Sequence, residues 1–285
     1  MKRKTKLLLA LAVVVLGGVR GFGQEVSADR LTVPFSDPSR PGVVKVGLLN
    51  GGITVRGYEG KEVLVEARVR PEDGAEGESR DEDDKERQAK GRGMRRIPVA
   101  STSLTVEEEE NVITVGTGSY NRTIDVSLQV PMKTSLKLSS VNDGDINVEG
   151  VTGEIEVNNT NGGVTLTNVS GTVVAHSLNE DVVVRLTKVD PEKSMSFTSF
   201  NGDIDVTLPP DVRLKAKVKT DNGDLYSDFD IRLEQSTQKV EEDTRKKGGK
   251  YRVQLEKAMY GTINGGGPEF QFATFNGDIY LHKGK

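Results

Sequence analysis

The nonapeptide Thr198-Ser199-Phe200-Asn201-Gly202-Asp203-Ile204-Asp205-Val206 returns near the end of the chain as Ala273-Thr274-Phe275-Asn276-Gly277-Asp278-Ile279-Tyr280-Leu281. Each copy reads as an alternating strand, a Ser/Thr-x-Asn-Gly-Asp corner and a second alternating strand. Close copies run from Ser139 through Asn142-Asp143-Gly144-Asp145 to Val148, and from Lys219 through Asn222-Gly223-Asp224 to Leu225. Looser ones lie at Thr160-Asn161-Gly162-Gly163, Ser177-Leu178-Asn179-Glu180-Asp181 and, as an early outlier, Leu49-Asn50-Gly51-Gly52. Gly144, Gly162, Glu180, Gly202 and Gly223 hold the same place in successive copies, 18, 18, 22 and 21 residues apart. A period near 20 belongs to solenoids, in which one repeat is one rung and cannot bury its apolar face alone. The 54 residues from Gly223 to Gly277 leave room for an insertion.

Within each rung the period is two. Ile146 and Val148, Val164 and Leu166, Val182 and Val184, Ile204 and Val206, and Ile279 and Leu281 should point inward. Asn147, Thr165, Val183, Asp205 and Tyr280 alternate with them and should face out. The strands before the corners alternate too, at Leu136 and Leu138, Ile155 and Val157, Met195 and Phe197, and Phe270 and Phe272. The corner pairs Asn50-Gly51, Asn161-Gly162, Asn201-Gly202, Asn222-Gly223 and Asn276-Gly277, with Asn142 and Gly144, are expected to supply the positive φ of a tight turn. A two-residue hairpin competes for any single Asn-Gly, but regular spacing favours stacked rungs.

The 285 residues divide into an expected signal peptide at 1–23, an N-terminal β cap region at 24–130, and solenoid repeats at 131–285. The leader reading rests on Lys2, Arg3, Lys4 and Lys6 followed by the apolar run Leu7–Val19, which is short for a membrane span. Without the leader's five basic residues, 34 Lys and Arg face 43 Asp and Glu, a formal charge of −9. That balance argues against a nucleic-acid partner, and no membrane span is expected after cleavage. There is no cysteine, so burial and backbone pairing must hold the fold. Residues 71–98 form a charged loop expected to be disordered, and 234–250 a polar, flexible insertion. Val43–Val46, Val63–Val69, Leu104–Val106 and Val112–Val115 read as strands, the last two as a hairpin capping one end. The charged terminus His282-Lys283-Gly284-Lys285 should guard the other end against edge pairing.

Candidate chemistry concentrates in the aspartates after the corner glycines, Asp145, Asp203, Asp224 and Asp278. Stacking would set them in a ladder that could bind Ca²⁺ or, as paired carboxylates, cut a polysaccharide. The plainer use is acceptance of hydrogen bonds from turn N–H groups, which is favoured. The two histidines, His176 and His282, lack partners at metal-ligand spacing. No nucleophile elbow or phosphate-binding loop occurs, so neither an enzyme nor a cofactor is expected. The outward row Asn147, Asn158, Asn159, Thr165, Thr167 and Asn168 could present a polar face to a glycan or a protein.

Taken as a set, the Asn-Gly-Asp-Ile corners, Val126-Ser127-Leu128-Gln129-Val130-Pro131, Leu208-Pro209-Pro210 and the final Asn276–Ile279 corner resemble the bacterial putative-adhesin domain family of unknown function, relatives of the head domain of auto-transporter adhesins. The resemblance covers Val43 to Lys285. It implies a single all-β solenoid exported to the periplasm, outer surface or medium, acting as an adhesin or scaffold. It carries over no catalytic residue. The 71–98 loop and the Asn179-Glu180-Asp181 corner depart from the pattern. A polysaccharide-active enzyme and a calcium-stabilised module are the alternatives.

Overall fold

Alternation of Val, Ile and Leu with small polar residues is realised as strand throughout a computed structural model that describes residues 28–70, 102–118, 121–243 and 251–285. Among these there is no helix, hence none long and apolar enough to cross a membrane. The expected leader and the 71–98 loop lie outside the described residues.

In chain order, β1 (Ala28–Pro34) precedes a corner between β2 (Val43–Asn50) and β3 (Ile53–Tyr58). Then come β4 (Glu62–Val69), the hairpin of β5 (Leu104–Glu109) and β6 (Val112–Thr117), and β7 (Ile124–Pro131). The repeats follow as β8 (Ser135–Asn142), β9 (Ile146–Glu149), β10 (Thr152–Asn159), β11 (Val164–Ser177), β12 (Val182–Val189), β13 (Met195–Thr198) and β14 (Ile204–Leu208). Last are β15 (Leu214–Asn222), β16 (Leu225–Ser227), the long strands β17 (Glu234–Asp243) and β18 (Tyr251–Ile263), and β19 (Glu269–Asn276) with β20 (Ile279–Lys283).

All twenty belong to one hydrogen-bonded sheet, folded at the corners into two faces. Strands that enter the corners stack in parallel on the first face, in the order β6, β2, β8, β10, the second half of β11, β13, β19, β15. Strands that leave them stack on the second, as β3, β9, the first half of β11, β12, β14, β20, β16. β7 lies parallel to β3 at its outer side. The described residues thus build eight rungs. The apolar residues assigned inward are buried, with Ile146, Val164, Val182, Ile204 and Ile279 fully enclosed.

Rung order in space is not rung order in sequence. The Asn50 outlier is a full rung, lying between β6–β7 and β8–β9. A boundary at residue 131 therefore does not divide the stack. At the other end β19–β20 slips between β13–β14 and β15–β16. Each end thus holds its sequence-terminal rung one place inside. The C-terminal strand is therefore internal, and its lysines guard no edge: Lys283 pairs with Leu208. The outer edges are closed by antiparallel strands, β5 on β6, β4 and β1 beyond β7, and β18 and β17 beyond β15. The first ten residues of the polar 234–250 stretch are thus strand, not flexible loop.

Candidate functional site

The corner is where the rungs differ from an ordinary sheet, because side chains there bond from rung to rung. Asn142 Nδ2 donates to Asn50 Oδ1 at 3.1 Å, Asn161 to Asn142 at 2.8 Å, Asn179 to Asn161 at 2.6 Å and Asn201 to Asn179 at 3.1 Å. Asn276 continues to Asn201 at 2.8 Å, and Asn222 to Asn276 at 2.8 Å. Seven asparagines from seven adjacent rungs, not all successive in sequence, form one unidirectional ladder. A second rail runs inside it, where Ser140, Ser177, Ser199, Thr274 and Thr220 hydroxyls each donate to the corner carbonyl of the adjacent rung. Asn159 takes that place in its own rung, donating to Gly144 O at 2.9 Å.

The aspartates form a third rail. Asp203 Oδ1 accepts the Asp278 amide, and Asp278 Oδ1 the Asp224 amide, both at 2.8 Å. Asp145 Oδ1 accepts from Gly163 N at 2.9 Å. The structure brings Asp203, Asp278 and Asp224 together, adds Asp181, and sets Asp145 apart between Gly52 and Gly163. Asp125 starts the rail with the Gly52 amide, and Arg70 grips that carboxylate with two nitrogens and Asp143 O with a third. This pairing with Asp125 holds the Arg70 guanidinium above its ordinary pKa. Among the described residues no three His, Cys, Asp or Glu side chains converge so as to hold a metal ion.

The corner glycines are needed for closeness more than for backbone sign. Among the corner positions only Gly51 (φ 125°), Gly277 (φ 157°) and the non-glycine Asp143 (φ 61°) take positive φ. A Cβ on Gly223 would instead stand 2.0 Å from Gly277 O, and one on Gly162 2.2 Å from Gly144 O. At these glycines the neighbouring corner approaches too closely for a side chain, whereas the Asn179 corner accommodates Glu180 at the same place.

Immediately before each ladder asparagine stands a side chain that points out. Leu49, Val141, Leu178, Phe200 and Phe275 occupy this row, each more than a third exposed, with Thr160 between Val141 and Leu178. At about 4.8 Å per rung they make an apolar ridge about 24 Å long. Phe200 and Phe275 stack with centroids 4.9 Å apart and planes 4° from parallel. Beside the ridge on the first face lie Asn158, Val174, His176, Ser196, Thr198, Gln271 and Ala273, a flat area with no acid or lysine among them. His176 Nδ1 and Thr198 Oγ1 share a hydrogen bond of 2.8 Å there. Strand parity in the quoted nonapeptide already turns Phe200 outward, since Phe197 and Ser199 face in. That signal could have found the ridge.

On the second face Tyr226 stacks on Tyr280 at 5.1 Å. The Tyr280 hydroxyl donates to Asp278 Oδ2 at 3.1 Å, and that bond to a carboxylate pushes its pKa up to about 12. His282 stands between Asp205, at 3.7 Å, and Asp228, at 3.4 Å. Farther along, Thr54, Asn147, Thr165 and Thr167 line an open groove of about 420 Å³ bounded by Arg56 and Glu149. The polar row expected from the sequence is split by this geometry. Asn147, Thr165 and Thr167 share the second face, Asn158 lies on the first, and Asn159 is buried in the hydroxyl rail. Asn168 takes φ 54° where β11 bends from one face to the other.

The family model of Toastrack DUF4097 matches residues 106–264. No curated protein matches the chain. Among solved structures, a putative cell adhesion protein from Clostridium sporogenes is similar over 90% of this chain and 100% of its own, with 12% identity and a TM-score of 0.46. A putative adhesin from Bacteroides fragilis is similar over 90% of this chain and 97% of its own, with 7% identity and a TM-score of 0.31.

Proposed function

We propose that this chain, which belongs to the Toastrack DUF4097 family, is an exported, non-enzymatic envelope protein that binds a surface or partner through its first face. The observation that carries the reading is the apolar ridge Leu49–Val141–Leu178–Phe200–Phe275 beside a small uncharged patch around Val174, Ser196 and Ala273, which is flanked by Glu156 on one side and by Lys217 and Lys219 on the other. The chain as a whole is 29% charged. Exposed apolar residues scattered singly need no explanation, whereas five aligned along one edge mark an interaction surface. Export follows from the basic and apolar leader. In an envelope fraction the mature chain should begin near residue 24, and a retained leader would count against cleavage.

The test is binding of the purified mature chain to envelope fractions and glycan arrays, with Leu178→Asp/Phe200→Asp beside it. Phe200 also stacks on Phe275, so binding is compared well below the variant's own melting temperature, where the variant should lose about tenfold or more in affinity, as central interface residues do. Undiminished binding would remove the ridge from the site and leave the Thr54–Thr167 groove. Release of sugar from a polysaccharide would overturn the non-enzymatic reading.

The aspartate rail is part of the frame in this proposal. The Oδ1 atoms of Asp145, Asp181, Asp203 and Asp278 are each engaged by the amide of the next rung, Asp224 ending the rail, so calcium would compete with those bonds. Melting temperatures in chelator and in millimolar Ca²⁺ should coincide. A rise with calcium, by mass action, would make Asp181, Asp203, Asp278 and Asp224 the residues to mutate.

A further inference from the structure

Six asparagines in the chain are followed by glycine: Asn50, Asn161, Asn201, Asn222, Asn264 and Asn276. This is the pair most open to spontaneous loss of the side-chain amide. The glycine has no Cβ to hinder its own backbone nitrogen, which attacks the asparagine Cγ. A N–Cγ bond forms and closes a five-membered imide, the Cγ–Nδ2 bond breaks, and the nitrogen leaves as ammonia. Water then opens the ring to aspartate or isoaspartate. The step requires the side-chain amide to turn toward the next backbone nitrogen, and the ladder holds it from doing so.

The six are not held equally. Asn161, Asn201 and Asn276 each donate one ladder bond and accept another. Gly277 N–H is also committed, to Asn222 O at 3.1 Å. Asn50 accepts from Asn142, and Gly51 N–H is bound to Asn142 O at 2.8 Å. Asn264 lies off the ladder but donates to both Pro210 O and Val212 O. Asn222 is the open end. Its Nδ2 donates to Asn276, but among the described residues nothing donates to its Oδ1, which alone sets it apart from Asn161 and Asn201, since the Gly162, Gly202 and Gly223 N–H groups all have no partner there.

We infer that the asparagine ladder shields the corners from deamidation and that Asn222 is the chain's site of this modification. The change would place a carboxylate between Asp221 and Asp224 and withdraw the donor from Asn276 Oδ1. Fraying would then start in the β15–β16 rung, which covers the C-terminal rung.

The test ages the full chain in mildly alkaline buffer and follows each Asn-Gly peptide by mass and isoaspartate content. In the folded protein Asn222 should lead Asn161, Asn201 and Asn276 by about fivefold, the rate equivalent of one hydrogen bond of about 1 kcal/mol. In guanidinium all six should react alike. Asn222→Ala, at the outermost rung, makes Asn276 the new open end, whose rate should rise. Equal rates at Asn222 and Asn276 in the folded protein would overturn the inference. So would an unchanged Asn276 in Asn222→Ala.

Discussion

At one end of the stack the closing strands are held by charge, and at the other the last rungs are held by rings. Around β7 and β1, Arg70 clamps Asp125, Arg30 and Arg68 both pair with Glu66, and Glu108 accepts the Ser36 hydroxyl at 2.6 Å. Around β19 and β15, Phe197 stacks on Phe272 with centroids 5.4 Å apart and meets Phe270 at 6.4 Å, all three fully buried. Phe200–Phe275 and Tyr226–Tyr280 repeat the stacking outside. Both ends tuck the terminal rung one place inside, so topology is shared and the means differ. Exposed ion pairs contribute about 0–1 kcal/mol each, while a buried phenylalanine contributes several. The ring-held end should be the last to open.

Removing a ring tests this most severely. Phe272→Ala empties the space between Phe197 and the flanking rungs and should cost about 3–5 kcal/mol, read as a lower urea midpoint. A cost under about 1 kcal/mol would mean that the rings are not what holds this end.

Next in size is the ladder. Asn276→Ala cuts it one place from its end and removes two amide bonds, about 2 kcal/mol in all, whereas Asn222→Ala removes one, about 1 kcal/mol. Equal losses would show that the bonds act singly without regard to their place. Since Asn276 bonds to rungs 75 and 54 residues before it in sequence, its loss should also loosen the internal position of β19–β20, seen as faster hydrogen exchange there.

How far these contrasts could be read in the sequence depends on the element. The rungs and their inward residues are legible at Ile204 and Val206, because burial of one face imposes period two. The asparagine ladder is implied by seven corners with the same residue at one place. The internal placement of the two terminal rungs is not legible, because neighbouring rungs look alike in any order. Asn276 bonds equally well to Asn201 and to Asn222, and only antiparallel closure by β18 decides who lies outermost. The guarding role given to Lys283 failed for that reason. The corner glycines were expected for positive φ, which few of them adopt; most instead face a neighbouring corner about 2 Å from where their Cβ would stand.

The smallest expected effect concerns acid, and it falls on the charge-held end. Burial pushes the Glu66 carboxyl up, but bonds from Arg30 and Arg68 outweigh it and leave the carboxyl below its ordinary value. Glu108 behaves likewise, with burial opposed by the Ser36 hydroxyl and the Ser36 and Asn111 amides. A carboxyl whose folded pKa is depressed stabilises fully above its unfolded pKa, about 4.3. That contribution is lost as pH falls through the lower folded value. Hydrogen-exchange protection in β1, β4 and β5, taken relative to the intrinsic exchange rate at each pH, should therefore be level from neutrality down to about pH 4.5 and fall below it. Glu66→Gln should abolish the step in β1 and β4 while leaving the one in β5, because Glu108 ties the loop after β1 to the β5–β6 hairpin by separate bonds. If β1 and β4 lose protection in acid to the same degree in Glu66→Gln, the Arg30–Glu66–Arg68 group does not hold that edge, and the apolar side chains Val63 and Val65 beneath it do.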